Sequence, residues 1–179
     1  MSFEAKWPSR QKVGAKDDPL KKAIGYKKSE SLKVLDLTGG LFRDAHHMAT
    51  MGCEVIALEE VEELASAFQA LLVAEPIENL KIIHSSAEDY LAGVEDGSFD
   101  VAYYDPMFPE KKKSAAPGKE SVFLQEKALP KTDEEERALL AICKLKFKRV
   151  VVKRPLKAEA LMKPSHDIKG KAIRFDVYL

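Results

Sequence analysis

The chain has 179 residues, a length that suits one domain with a substantial core. Its 29 lysines and arginines equal its 29 aspartates and glutamates, so net charge argues neither for nor against a nucleic-acid partner. No stretch reaches the ~18 apolar residues of a membrane span, and residues 1–11 lack the apolar core of a signal peptide, so we expect a cytoplasmic protein. Cys53 and Cys143 lie in apolar runs with no partner at metal-ligand spacing, which predicts buried thiols and no metal site.

The first 31 residues differ in composition from the rest. Lysine and arginine recur there among few aliphatic residues, which predicts a basic, loosely ordered N-terminal arm with one helical turn at residues 19–24. A solvated leader fits the same composition. We therefore divide the chain into an arm, residues 1–31, and a globular domain, residues 32–179.

From residue 32 onward, predicted strands alternate with predicted helices. A strand at 32–37 runs into Thr38-Gly39-Gly40, where two glycines allow a sharp turn, and a helix at 41–51 follows. The other predicted strands cover 53–58, 80–84, 99–104, 149–153 and 173–179. A second predicted helix carries the apolar stripe from Val61 to Leu72, and a short third helix ends near Leu91. A fourth runs from the capping box of Thr132 and Glu135 to Leu145. This order predicts an α/β fold, with a doubly wound, mostly parallel sheet and an antiparallel C-terminal strand.

Polar side chains follow several predicted strands. Asp36, Glu59, Ser86 and Asp105 all fall at carboxyl ends, the edge at which such sheets bind ligands. The glycine turn lacks the G-x-G-x-x-G spacing, and no Gly-Lys-Ser/Thr occurs, which disfavours dinucleotides and nucleoside triphosphates. A ligand with a ribose and a zwitterion but no phosphate fits better. S-adenosylmethionine (SAM) is such a ligand, with Glu59 on its ribose, Ser86 and Ala87 at its adenine edge, and the first turn at its amino-acid end.

The fourth predicted strand ends in Asp105-Pro106-Met107-Phe108-Pro109. Proline cannot donate to a sheet ladder and fixes φ, so this loop should hold the Asp105 carboxylate and the Phe108 ring at a fixed separation. A planar ring that bears an amine suits this pair, because the carboxylate accepts N–H bonds while the phenyl face stacks. A proline turn with a solvated aspartate is the alternative that this stretch leaves open.

Several strings, in one order from about residue 14 to the C-terminus, resemble the RsmJ family. They begin with Pro19-Leu20 and Ala23-Ile24-Gly25 and continue with VLDLTGGLFRDA at 34–45, Gly52-Cys53, His84, DPMFP at 105–109, KSA at 113–115, VVVKRP at 150–155 and RFD at 174–176. Members of that family are SAM-dependent methyltransferases that modify the 2-amino group of a guanine in bacterial small-subunit (16S) ribosomal RNA. The resemblance implies a Rossmann-like class I methyltransferase domain over residues 32–179.

The resemblance also implies a set of site residues. It gives the cofactor site Arg43, Asp44, Glu59, Glu60, Ser86, Ala87 and Asp105, to which the strand end and the glycine turn add Asp36 and Gly40. The predicted reaction site comprises Asp105, Pro106 and Phe108. Asp105 would accept hydrogen bonds from the guanine amine, and Phe108 would stack on the extruded base. The predicted contacts with RNA are Lys111, Lys112 and Lys113 after this loop, and Lys153 and Arg154 at the end of the fifth strand. As bare charge runs, these residues also fit solvated loops.

Phe42 departs from the family pattern, in which glycine is usual, and family members usually have a longer N-terminal region. The ring must either rotate outward onto the sheet or fill part of the cofactor pocket, and we favour the outward position. A filled pocket would indicate a catalytically inactive relative that binds RNA or ribosomal particles. Asp-Pro-x-Phe chemistry also fits a methyltransferase of another amine, such as adenine in DNA or a protein glutamine.

Overall fold

The computed structural model describes residues 3–8, 18–106, 122–123, 126–127 and 130–179. Seven strands in these segments form one sheet in the order β3-β2-β1-β4-β5-β7-β6. They are β1 (Lys33–Asp36), β2 (Glu54–Glu59), β3 (Leu80–His84), β4 (Val101–Tyr104), β5 (Arg149–Pro155), β6 (His166–Lys169) and β7 (Ile173–Tyr178). Strands β1 to β5 are parallel, and β7 runs antiparallel to both β5 and β6. The predicted fold class is confirmed.

Helices connect most of the parallel strands, and local sequence explains where several of them begin and end. They are α1 (Pro19–Ala23), α2 (Arg43–Met51), α3 (Glu62–Ala74), α4 (Ala87–Ala92) and α5 (Asp133–Lys146). Thr132 and Glu135 form the predicted capping box before α5. Gly52 ends α2 with φ of 104°, a left-handed conformation that glycine adopts without a steric penalty.

Strand β6 is the element that the sequence analysis missed. It forms an edge of the sheet, and three of its four residues are exposed. Its sequence, HDIK, has one aliphatic residue and no apolar alternation, so periodicity gives no signal for a strand. Backbone pairing with β7 places it in the sheet.

The sheet separates two apolar cores, because successive strand residues face opposite sides. Val34, Tyr103 and Val151 pack in one core with α1, α2 and α3. Their neighbours along the chain, including Leu35 and Val152, pack in the other core with α4 and α5. Both faces are therefore covered, as a mainly parallel sheet requires.

Part of the N-terminal region packs on the first core. Leu20, Ala23 and Ile24 are buried there, and the Trp7 ring stacks on the His46 ring with centroids 5.2 Å apart. The boundary that we set at residue 31 stays a prediction. No helix in the described segments is long and apolar enough to cross a membrane.

Candidate active site

A cavity of about 460 Å³ opens at the carboxyl ends of the parallel strands. This volume lies within the ~300–1,000 Å³ typical of small-ligand sites. Its lining includes most of the predicted cofactor and reaction residues: Asp36, Gly40, Arg43, Asp44, Glu59, Glu60, Ala87, Asp105 and Pro106. Leu37, Leu41 and Leu58 add apolar surface. Phe108, Lys111, Lys112 and Lys113 lie outside the described residues.

Asp36 begins the turn between β1 and α2. Its side chain is 1% exposed, and its Oδ1 accepts the Thr38 N–H at 3.0 Å. Burial raises the pKa of Asp36 to about 8, so the carboxyl group is mostly neutral at pH 7. A neutral carboxyl group can donate one hydrogen bond as well as accept others, which makes this turn polar without adding a negative charge.

Phe42 lies in the core and does not line the cavity. Its ring is fully buried, with its centroid 4.8 Å from that of Phe68. A Cβ added to Gly39 would lie 2.4 Å from Phe42 Cε1, so the ring packs directly against the glycine turn. The backbone of Phe42 has φ of 52°, a left-handed conformation that costs a residue with a side chain about 1–2 kcal/mol. The ring therefore leaves the cavity open, which agrees with the outward position predicted from the sequence.

Glu59 ties the end of β2 to the same turn. Its Oε2 accepts the Gly40 N–H at 2.6 Å, and its Oε1 accepts the Val61 N–H at 2.8 Å. Burial raises the pKa of Glu59 above its usual value, while these two backbone bonds oppose the rise. Each carboxylate oxygen has a second lone pair, so Glu59 can still accept a bond from a ribose hydroxyl. The exposed Glu60 lies beside it on the lining.

The segment after β3 differs from its prediction in one residue. Ser86 is the N-cap of α4, where its Oγ accepts the Asp89 N–H at 3.1 Å and donates to Asp89 Oδ2 at 2.7 Å. The cavity is instead lined by Ser85 and Ala87. The Ser86 side chain thus has a capping role, and its neighbours form the wall.

A cluster of ionisable side chains occupies the ends of β4 and β5. The Lys153 ammonium lies 2.7 Å from Asp44 Oδ2 and 2.8 Å from Asp105 Oδ2. The Tyr103 hydroxyl donates to Asp44 Oδ2 at 2.6 Å, and the Asp105 N–H donates to Thr38 Oγ1 at 2.8 Å. Asp105 Oδ1 has no hydrogen-bond partner within the described part of the chain.

The cluster sets the charge of its members. Burial raises the pKa of Asp105 to about 6, although the Lys153 ammonium lowers it. The two carboxylates raise the pKa of Lys153 despite its burial. Burial and the neighbouring Asp44 raise the pKa of Tyr103 well above its usual value. At pH 7, a lysine cation therefore contacts a mostly ionised Asp105 beside a neutral tyrosine.

The two predicted RNA contacts on β5 lie in different places. Lys153 is in the cavity, where it bridges two carboxylates. Arg154 is 6% exposed, with Nη1 3.4 Å from Glu136 Oε2 and Nη2 donating to the Glu159 carbonyl at 2.6 Å. A contact with RNA phosphates needs an exposed guanidinium group, so the structure corrects this part of the prediction for Arg154.

Comparison with known proteins assigns the chain to a family. A family described as "Putative SAM-dependent methyltransferase" matches residues 2–179. The chain belongs to this family. A protein of Thioalkalivibrio sulfidiphilus named ribosomal RNA small subunit methyltransferase J is 38% identical over 181 residues, covering 94% of this chain and 70% of that protein. A protein of the same name from Pseudoalteromonas atlantica is 40% identical over 182 residues, with 93% and 70% coverage.

A solved structure supports the same family. The crystal structure of a SAM-dependent methyltransferase from Neisseria gonorrhoeae matches with a TM-score of 0.68 and 26% identity, covering 93% of this chain and 76% of that one. The resemblance to the RsmJ family noted from the sequence is confirmed.

S-adenosylmethionine is the cofactor of this methyltransferase family, and the cavity fits it. Besides the mostly neutral Asp36, four lining residues carry carboxyl groups that can face the sulfonium and ammonium groups of this ligand, and three carry cationic groups. The four acids are Asp44, Glu59, Glu60 and Asp105. When bound, the cofactor supplies a methyl group on a positively charged sulfur. Within the described residues, no group of three or more His, Cys, Asp and Glu side chains could hold a metal ion.

Proposed function

We propose that this methyltransferase modifies the exocyclic 2-amino group of a guanine in small-subunit (16S) ribosomal RNA, in the cytoplasm. Two kinds of support lead to this proposal. The sequence strings resemble the RsmJ family, and the relatives named above are, by name, methyltransferases of small-subunit ribosomal RNA. The site adds a group that can bind an amine beside the cofactor cavity.

The observation that carries the proposal is the state of the Asp105 carboxylate. Asp105 Oδ2 accepts a hydrogen bond from the Lys153 ammonium at 2.8 Å, and the Asp105 backbone N–H donates to Thr38 Oγ1. The other oxygen, Oδ1, has no hydrogen-bond partner within the described residues and belongs to a side chain that is one-third exposed. A carboxylate fixed in this way can accept an N–H bond from a substrate amine.

Such an acceptor suits the chemistry of a guanine amine. The lone pair of this nitrogen is delocalised into the ring, so the site must orient the amine and help it become pyramidal. Asp105 Oδ1 would accept one N–H and direct the lone pair toward the methyl group. The carboxylate would stabilise the positive charge that the amine nitrogen gains on taking the methyl group from the cofactor's sulfur, which would leave as a neutral thioether when the carbon–sulfur bond breaks. The amine proton would then pass to Asp105 or to water.

The remaining predicted roles belong to this proposal as well. Phe108 follows Asp105 by three residues and would stack on the extruded guanine. Lys111, Lys112 and Lys113 come after Pro109 and Glu110 and would bind phosphates of the same RNA.

A methyl-transfer assay on small subunits tests the proposal. Subunits from cells that lack the gene are incubated with the protein and tritiated S-adenosylmethionine, and the labelled nucleotide is mapped. We expect label on the 2-amino group of one guanine. Label on another nucleic acid or on a protein would indicate a different amine substrate, and cofactor binding without any transfer would indicate an inactive relative.

Substitution of Asp105 tests the role of its carboxylate. Asp105→Ala should abolish transfer and leave the fold and most of the cofactor affinity intact. Asp96→Ala is a matched control, because Asp96 is an exposed carboxylate in the segment before β4, at the opposite edge of the sheet. Activity of Asp105→Ala within about tenfold of the parent, or about 1.4 kcal/mol in barrier, would remove Asp105 from the reaction.

A further inference from the structure

Charged residues are unevenly distributed along the edge of the sheet at which the cavity opens. Helices α3, α4 and α5 all begin at this edge with acidic residues in their first turns. Two lysines offset part of this charge. Lys127 Nζ forms an ion pair with Glu63 Oε2 at 3.0 Å, and Lys131 Nζ forms one with Glu88 Oε1 at 2.9 Å. A polyanion approaching the cavity is therefore disfavoured at the three helix starts.

Strand register places a group of lysines at the same edge, beside the carboxyl end of β5 and the connection between β6 and β7. Pro155, which lines the cavity, lies opposite Ile173, and Lys169 lies opposite Arg174. The residues that follow β5 and those that join β6 to β7 are therefore neighbours at this edge. The Leu156 N–H donates to the Ala172 carbonyl at 3.1 Å, so the segments that carry Lys157 and Lys171 run side by side.

Arg174 of β7, three residues after Lys171, holds the segment that carries Lys157. Its Nη1 donates to the Leu156 carbonyl at 2.9 Å and to the Ala158 carbonyl at 2.7 Å, while its Nε donates to Asp176 Oδ1 at 2.7 Å. The arginine side chain is 11% exposed, so these bonds are largely shielded from water. The backbone that carries the lysines is thus fixed before any partner binds, which lowers the entropy lost on binding.

The lysine side chains themselves are available to a ligand. Lys157, Lys169 and Lys171 are all exposed. Lys169 has one acidic neighbour, Asp167, at 3.6 Å. Lys157 and Lys171 have no ion-pair partner within the described part of the chain. Glu159 is the exposed acid on the segment after β5, and its carbonyl is held by Arg154.

We propose that Lys157, Lys169 and Lys171 form a docking surface for the phosphates of the RNA strand that carries the target guanine. This inference rests on the proposed function, because it takes the substrate to be RNA. The surface continues from the cavity wall at Pro155, so phosphates next to the target nucleotide lie within reach of it. Because the acidic helix starts repel phosphates, we expect the RNA strand to pass over the ends of β5, β7 and β6 and not over the ends of β2 and β3.

A pair of charge-matched double variants tests the docking surface. Lys157→Gln with Lys171→Gln removes two cations from it. Lys28→Gln with Lys148→Gln removes two exposed cations at the opposite edge, where Lys148 directly precedes β5 and residue 28 lies before β1. Binding to protein-free 16S ribosomal RNA and to small subunits is measured across a salt series, together with KM and kcat for methyl transfer.

The site variant should weaken RNA binding by about ten- to thirtyfold near physiological salt and reduce the salt slope by about 1.4–1.8, since each lost phosphate contact removes ~0.7–0.9. KM for the RNA should rise while kcat and cofactor affinity stay unchanged, because neither lysine lines the cavity. The control variant should match the parent in every measurement.

Three results would contradict this reasoning, each in a different way. If the parent transfers no methyl group to the subunits, the proposed function fails. If the parent is active and the two double variants have equal affinities and salt slopes, the docking surface is wrong. If the site variant loses affinity for subunits but keeps it for protein-free RNA, these lysines bind an acidic protein surface and the RNA assignment is overturned.

Discussion

Replacement of Lys153 by methionine should shift the pH at which methyl transfer becomes active. The Lys153 ammonium contacts Asp44 and Asp105 at 2.7 and 2.8 Å, and methionine keeps much of the apolar stem while removing the charge. Asp105 is then left facing the carboxyl groups of Asp44 and Asp36 and the hydroxyl of Tyr103. None of these groups offers it a cation.

The size of the shift follows from the pKa of Asp105. With Lys153 in place, burial raises that pKa to about 6. A cation in contact lowers a carboxyl pKa by roughly 1–3 units, so its removal should raise the pKa of Asp105 to roughly 7–9. The ionised fraction at pH 7 would fall from about 90% to between about 50% and about 1%. If the reaction requires the carboxylate, the rate at pH 7 falls in the same proportion.

Single-turnover transfer to small subunits, measured across a pH range that brackets both values, would show this effect. The acid limb of the Lys153→Met profile should move up by roughly 1–3 units, with recovery at high pH. Lys153→Arg should keep the limb near that of the parent, and Lys148→Met controls for loss of a distant lysine. An unmoved limb, in a variant whose thermal midpoint shows that it is folded, would refute the assignment of Asp105 as the ionising group that Lys153 controls.

Three further substitutions have defined outcomes. Phe42→Gly should reduce the free energy of unfolding by about 2–4 kcal/mol, because loss of the buried ring outweighs relief of its left-handed backbone. Calorimetry should show less than about a threefold change in cofactor affinity. A tenfold gain in affinity would mean that the ring blocks the site. As pH rises from about 4 to about 8, Asp36→Asn should become increasingly stable relative to the parent. The raised pKa of Asp36, about 8, makes the parent lose stability through that window, whereas asparagine does not titrate. A constant difference in thermal midpoint across the window would contradict this. Joint replacement of Lys111, Lys112 and Lys113 by alanine should reduce the salt slope of RNA binding by up to about one unit per lost contact, and an unchanged slope would indicate a solvated loop.

The fold could be predicted because its signals are local. The capping box at Thr132, the glycine that closes α2, and the apolar stripe of α3 each lie within a few turns of chain, and the observed elements differ from the predicted ones by one or two residues at their ends. The exposed edge strand β6 lacks such a signal and was missed for that reason.

The cavity residues at strand ends could be predicted from the same logic, but the directions of neighbouring side chains could not. Lys153 and Arg154 look alike in sequence, as two cations after a valine run. In a strand they face opposite sides, so Lys153 enters the cavity while Arg154 is buried against Glu136 of α5. Alternation along the strand predicts that the two side chains face opposite sides of the sheet, but it does not predict which of them enters the cavity.

The position of Asp105 shows why the proposed reaction site depends on the whole fold. Its backbone N–H is bound by Thr38, 67 residues earlier, and its carboxylate by Lys153, 48 residues later. Thr38 in turn donates its own N–H to Asp36, in the turn where Glu59 also binds Gly40. Because the ends of β1, β2, β4 and β5 are joined by these side-chain bonds, a shift of the cofactor turn must also move the Asp105 carboxylate. This coupling holds Asp105, the proposed amine-binding group, at a fixed place beside the cavity, which is the alignment that a methyl transfer between two bound molecules requires.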